Sequence, residues 1–187
     1  MSKSSNICIE ISSAIEIANR VVSQTIYATD LYIYIESAAG NKIFLPESDR
    51  LYTIDGENRK LVLVDTSPVI RQQTQLKTMM GNVSVTKISD GVFKVANAGN
   101  SAISFEADVT VCKHEGLETT VMSAYNKFQE ELQPFRIPLE PNEIIGSMSS
   151  VINFNGQKMT NKVTVTEIKE NSSKAPEIDL YYQFTRA

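Results

Sequence analysis

Short stretches in which apolar and polar residues alternate, each ended by a turn dipeptide, limit what this chain can fold into. Ile7, Ile9 and Ile11 alternate with Cys8 and Glu10, and Leu31-Tyr32-Ile33-Tyr34-Ile35 sets three aliphatics on one side and two tyrosines on the other. Period-2 alternation is the mark of a strand with one face in a core. The same reading predicts strands over 42–45, 51–54, 60–65, 83–88, 92–96, 102–111, 147–154, 158–168 and 178–185. Ala39-Gly40-Asn41, Asp55-Gly56, Asp90-Gly91, Ala98-Gly99-Asn100 and Asn155-Gly156 lie between them. Glycine and asparagine adopt the positive φ of tight hairpins at least cost. Many short strands with such turns predict a mainly β chain, an antiparallel β-sandwich with residues 1–187 as its single domain.

Two segments break the alternation. Ile15, Ala18, Val21, Val22, Thr25 and Ile26 recur at three- and four-residue spacing, and Ser13-Ala14-Ile15-Glu16 has the form of a capping box. They predict a helix over 13–27. Its β-branched residues lower helix propensity, so a strand there is the competing reading. Leu117, Val121, Ala124, Tyr125, Phe128 and Leu132 form a second stripe, predicting a helix over 117–132 that Pro134 ends.

The chemistry the chain lacks narrows its function. His114 is the sole histidine; with Cys112 it supplies two ligands of the three or four that zinc requires, and no second cluster accompanies them. There is no Gly-x-Ser-x-Gly elbow, no phosphate-binding glycine loop and no dinucleotide fingerprint. A non-enzyme without cofactor or metal is expected; paired carboxylates among the 22 Asp and Glu residues stay open. The net charge of −4, with Lys and Arg scattered singly, disfavours a nucleic-acid partner. Cys8 and Cys112 read as two reduced, buried thiols, with a disulfide between them left open. No apolar run approaches the roughly 20 residues of a spanning helix. Glu10 and Glu16 interrupt what a signal peptide would keep apolar. The expected location is the cytoplasm, or release from the producing cell.

One stretch resembles a known family. Tyr125-Asn126-Lys127-Phe128-Gln129-Glu130-Glu131-Leu132-Gln133-Pro134-Phe135-Arg136 is similar to the second helix of the actinoporins, pore-forming cytolysins in which a tyrosine-rich helix runs into Pro-Phe-Arg. The order of strand, early helix, many strands, later helix and final strands is similar too. The resemblance implies a β-sandwich flanked by two helices, an architecture that fungal fruit-body lectins share. It places Tyr125 on a family tyrosine that helps bind a phosphocholine headgroup, while Gln129 and Glu130 stand where the family has a tyrosine pair.

The leading expectation is a pore-forming protein acting on membrane lipid, in which Ile15, Ala18, Val21, Val22 and Ile26 leave the sandwich and enter the bilayer, with homo-oligomers on assembly. The alternatives are a carbohydrate-binding module that uses exposed tyrosines, Tyr32 and Tyr34 with Tyr181 or Tyr182, on a target-cell glycan, and a phage or secretion-apparatus structural subunit joined through strand edges. Tyr125, Tyr181 and Tyr182 are the candidate lipid or ligand contacts.

Overall fold

The computed structural model describes residues 7–17, 20–97, 103–116, 119–131, 133–171 and 173–186. The strands are β1 (Ile9–Ile17), β2 (Arg20–Ala28), β3 (Ile33–Ser37), β4 (Lys42–Leu45), β5 (Arg50–Asp55), β6 (Lys60–Leu63), β7 (Val83–Ser89), β8 (Val92–Asn97), β9 (Ile103–Lys113), β10 (Glu143–Phe154), β11 (Gln157–Glu170) and β12 (Thr185–Arg186). The helices are α1 (Ser67–Met80), α2 (Thr119–Glu131) and α3 (Ala175–Tyr182).

All twelve strands belong to one sheet, ordered β12-β6-β5-β4-β3-β2-β1-β11-β10-β9-β8-β7. From the middle, β1 to β6 step outward by successive antiparallel pairing. After α1 the chain resumes at the far edge, and β7 to β11 step back until β11 pairs with β1. The mainly β expectation holds, but the strands do not divide into the two packed sheets of a sandwich. Helices cover the sheet instead.

Cover is unequal on the two faces. Along β1, residues 9, 11, 13, 15 and 17 point one way by the strand's period of two. That face carries Ile9, Ile11, Ile26, Ile33, Ile35 and Phe44 beneath Val121, Met122, Tyr125 and Phe128 of α2. It also carries Phe93, Val95, Phe105, Ala107 and Val109 beneath Met80 of α1 and the Phe135–Ile137 stretch. The opposite face buries Tyr27, Tyr32, Tyr34, Ile43, Leu45, Tyr52 and Leu61 with Ala175 and Ile178 of α3.

The predicted helix over 13–27 falls on the end of β1 and the greater part of β2, an antiparallel pair in which Ile15 faces Val22 and Ile11 faces Ile26. Ala18 lies outside the described residues. The β-branched residues at 15, 17, 21, 22, 25 and 26 are stiff at χ1 and suit a pleated surface. Their three- and four-residue spacing arises because an apolar position of one strand is followed by those of its antiparallel neighbour. The predicted helix over 117–132 corresponds to α2; Leu117 and Leu132 lie outside the described residues.

Two further elements differ from expectation. The predicted strand over 178–185 is mainly α3, whose first turn holds a proline, tolerated there for want of an N–H, and Glu177, which complements the positive end of the helix dipole. The α1 segment has no counterpart in the predicted elements. Its start is held by Asp65, whose Oδ1 accepts the Ser67 backbone N–H at 2.9 Å; hydrogen bonds from the Ser67 side chain first and its backbone second lower the Asp65 pKa.

Candidate functional site

Beside α2 the sheet face it covers opens into a gap of about 310 Å³. Its floor is built across the central ladders: Ile15 on β1 faces Val163 on β11, which faces Met148 on β10, while Ser13 faces Val165. Gln24, Ile26 and Ile35 extend the floor on one side. Tyr125, Asn126, Phe128 and Gln129 of α2 form one wall, and Gln133, Leu139 and Ile145 close the end.

The electrostatic character of this gap is neutral. No Asp, Glu, Lys, Arg or His is among the residues that line it. Its polar groups are one hydroxyl and four side-chain amides, apart from the Tyr125 hydroxyl. Asn126 is turned away to structural use, its Nδ2 donating to the Glu143 carbonyl at 2.6 Å. Phe128 is fixed against Phe44, ring centroids 5.0 Å apart, so the α2 wall is anchored to the sheet. Burial pushes the Tyr125 hydroxyl pKa above its ordinary value, which keeps that group neutral. Next to Val163 on the same face is Asn161, whose Oδ1 is a buried side-chain oxygen without a hydrogen-bond partner among the described residues. The gap's chemical character is thus an apolar surface with a few neutral polar groups.

A larger cleft of about 440 Å³ lies by β7, β8 and β9 and has the opposite character. Lys87 pairs with Asp90 at 3.1 Å and Lys113 with Glu143 at 3.5 Å, so its charges are largely answered within the protein. Glu143 Oε2 also accepts the Glu140 backbone N–H at 3.0 Å. His114, just past β9, donates its backbone N–H to the Asn142 carbonyl at 2.9 Å, and burial lowers its pKa. Among the described residues no group of three or more His, Cys, Asp or Glu is placed to hold a metal ion.

The predicted site residues are dispersed. Ile15 and Ile26 line the gap, whereas Val21 and Val22 are exposed, Val21 at 67%. Tyr125 is buried in α2 on one face of the sheet, while Tyr181 and Tyr182 sit on α3 against the other, so the three form no common contact surface. Tyr181 stacks on Tyr34 with centroids 5.8 Å apart, and Tyr182 lies 6.1 Å from Tyr32. Tyr32 and Tyr34 are buried under these rings rather than exposed as a sugar platform, because α3 covers the face that alternation alone leaves to solvent. Cys8 and Cys112 are both free; Cys8 is buried as expected and Cys112 is exposed. Among the described residues no helix is long and apolar enough to cross a membrane.

Sequence reasoning missed Phe128 as a wall, and Leu139, Ile145, Met148, Val163 and Val165 as lining. Phe128 was legible on its helical stripe. The others are ordinary strand or loop residues brought to Ile15 by ladders that span most of the chain.

No family model and no curated protein matches the chain. Among solved structures it is similar to PNGF-II, at 11% identity and a TM-score of 0.42 over 97% of this chain, and spans 31% of that chain's length. It is also similar to a candidate outer membrane lipoprotein-sorting protein domain from Vibrio parahaemolyticus, at 7% identity and a TM-score of 0.25, covering 93% of this chain and 91% of that one. At such scores neither likeness bears on fold or chemistry.

Proposed function

We propose that the chain is a binding protein for an elongated apolar ligand of the long-chain acyl type, held in the gap beside α2. The observation that carries this reading is a neutral, largely aliphatic lining on a sheet face that the protein's own helices leave partly open. Its volume, about 310 Å³, falls at the lower end of the roughly 300–1,000 Å³ typical of ligand clefts. Transfer of an acyl chain from water into it gains about 0.8 kcal/mol per buried methylene. The absence of a charged lining residue means that an ionic headgroup would stay outside, at the rim.

Pore formation through a detached N-terminal helix is set aside because residues 13–17 and 20–27 pair with each other as antiparallel strands, 13–17 pairing also with β11 and 24–27 with β3. It keeps apolar chemistry as the function and moves it from an inserting helix to a receiving cleft. Titration with fluorescent acyl probes of graded length tests it. Saturable binding is expected, weakened at least about tenfold by Val163→Gln, because a buried amide without a partner costs of order 1–3 kcal/mol. Absence of binding at every chain length would sink the proposal, as would full affinity in a folded Val163→Gln variant.

A further inference from the structure

Five of the nine large hydrophobic side chains that stand exposed among the described residues, Ile17, Val21, Val22, Phe154 and Met159, belong to just two strand pairs. Ladder register brings them to one end of the sheet. Ile17 faces Asn161 across the β1–β11 ladder, two residues from Met159, and Met159 faces Ile152, two residues before Phe154. On β2, Val22 faces Ile15 and Val21 faces Glu16. Val22 therefore shares a face with Ile17 and Met159, and Val21 projects from the other. Phe154 faces Gln157 and so joins that first face, and a sheet end with four exposed apolar side chains on one face is not explained by packing of the chain on itself; such patches mark contact surfaces.

The charges nearby are unlike those of the molecule. On these strand ends themselves Arg20, Lys158 and Lys162 are exposed against one carboxylate, Glu16, with Glu106 and Asp108 exposed one strand further out on β9, in a chain with a net charge of −4. An apolar tip flanked by cations is complementary to a bilayer whose surface is anionic: the aliphatic groups enter the headgroup boundary while Arg and Lys meet lipid phosphates. A second copy of the chain fits less well, since a two-fold contact through this tip would bring the same cations face to face. We infer that this end of the sheet, formed by the β1–β2 and β10–β11 pairs, docks on an anionic lipid surface. The inference stands apart from the acyl-binding reading, because none of the five residues lines the gap.

Co-sedimentation with vesicles tests it, using phosphatidylcholine alone and phosphatidylcholine mixed with phosphatidylglycerol. The wild-type chain is expected to sediment with the anionic vesicles, much less with the neutral ones, and less again as salt rises. Ile17→Ser, Val21→Ser and Met159→Ser combined should lower the bound fraction at least about tenfold, as should Arg20→Gln, Lys158→Gln and Lys162→Gln combined. All six positions are exposed, so both variants should melt as the wild type does; acyl-probe binding in vesicle-free solution should also be unchanged. The inference is overturned if the wild-type chain stays in the supernatant with both vesicle types, or if the folded serine variant binds undiminished. A concentration-dependent dimer lost in that serine variant, with no vesicle binding, overturns it as well. Vesicle binding without acyl binding would remove the earlier reading and leave this one intact.

Discussion

Gly146 sits where β10 slips by one residue against β9: Ile145 faces Val111, Ser147 faces Thr110, and Gly146 has no partner between them. A Cβ there would overlap Cys112 Sγ and come within 3.3 Å of Cys112 Cβ, so glycine is required by a close approach rather than by its backbone angles. The irregularity lies beside Ile145 and Met148, and so helps to aim two lining residues of the gap. Cys112 is exposed and its thiol has room to turn aside, which lowers the cost of a methyl group. Gly146→Ala is expected to destabilise by about 1 kcal/mol, the lower end for overpacking. In a Cys112→Ala background most of that cost should vanish, since only the 3.3 Å approach remains. Denaturation midpoints of the four proteins in this cycle measure the coupling. An equal cost of Gly146→Ala in both backgrounds would show that the thiol is not what glycine avoids.

At the scale of elements, α3 depends on what ties its short span to the sheet. Tyr32 is fully buried on the strand side and donates its hydroxyl to Asp179 Oδ1 at 2.9 Å, joining the rings of Tyr181 and Tyr182 as the tether. Tyr32→Phe keeps the ring and removes the donor to a carboxylate, a change worth roughly 1.5–3 kcal/mol. Chemical denaturation should show that loss, and limited proteolysis should find the α3 segment cut sooner; wild-type behaviour in both would show that the rings alone hold the helix. This tether also explains which elements were readable beforehand. The β4 limits and the Asp90-Gly91 and Asn155-Gly156 hairpins were legible because strand period and turn chemistry are local signals. In α3, by contrast, Ile178, Tyr181 and Tyr182 carry β-type preference that tertiary contacts override. The β1–β2 pair failed for a different reason: the relation of Ile15 to Val22 depends on where the chain reverses, which a list of apolar positions does not contain. For the gap, Ile15 and Ile26 were singled out for apolar chemistry and do line it, but Val163 and Met148, which the ladders set beside Ile15, lie more than a hundred residues away.

Across the whole molecule, the part of the sheet from β2 to β5 is covered on both faces, by α2 on one and α3 on the other, so its core excludes water more fully than the strand ends do. That burial sets the response to alkali. Cys8, in the cluster beneath α3, has its thiol pushed up to about 12, first by desolvation and then by the charges of Glu10 and Asp179. Tyr34 and Tyr27 in the same cluster are raised as well, by burial first and then by carboxylates, Glu36 for Tyr34 and Glu10 for Tyr27; Tyr125 under α2 is raised by burial alone. Lys174 near Tyr27 acts in the opposite sense without reversing the shift. Each of these groups keeps its proton in the folded chain and loses it sooner when unfolded. Above the ordinary thiol value of 9.0, then, the native state binds more protons than the unfolded one, and stability must fall as pH rises. The contribution is fully present below about pH 9 and is lost towards pH 12 for Cys8, with the tyrosines joining above their ordinary value of 10.0. From Cys8 alone the slope is at most about 1.4 kcal/mol per pH unit. Urea midpoints followed upward from neutral pH should hold level and then decline from about pH 9, and Cys8→Ala should delay the onset until the tyrosines begin to titrate. A flat profile through this range, or an onset that Cys8→Ala leaves in place, would place the dominant proton uptake elsewhere in the fold.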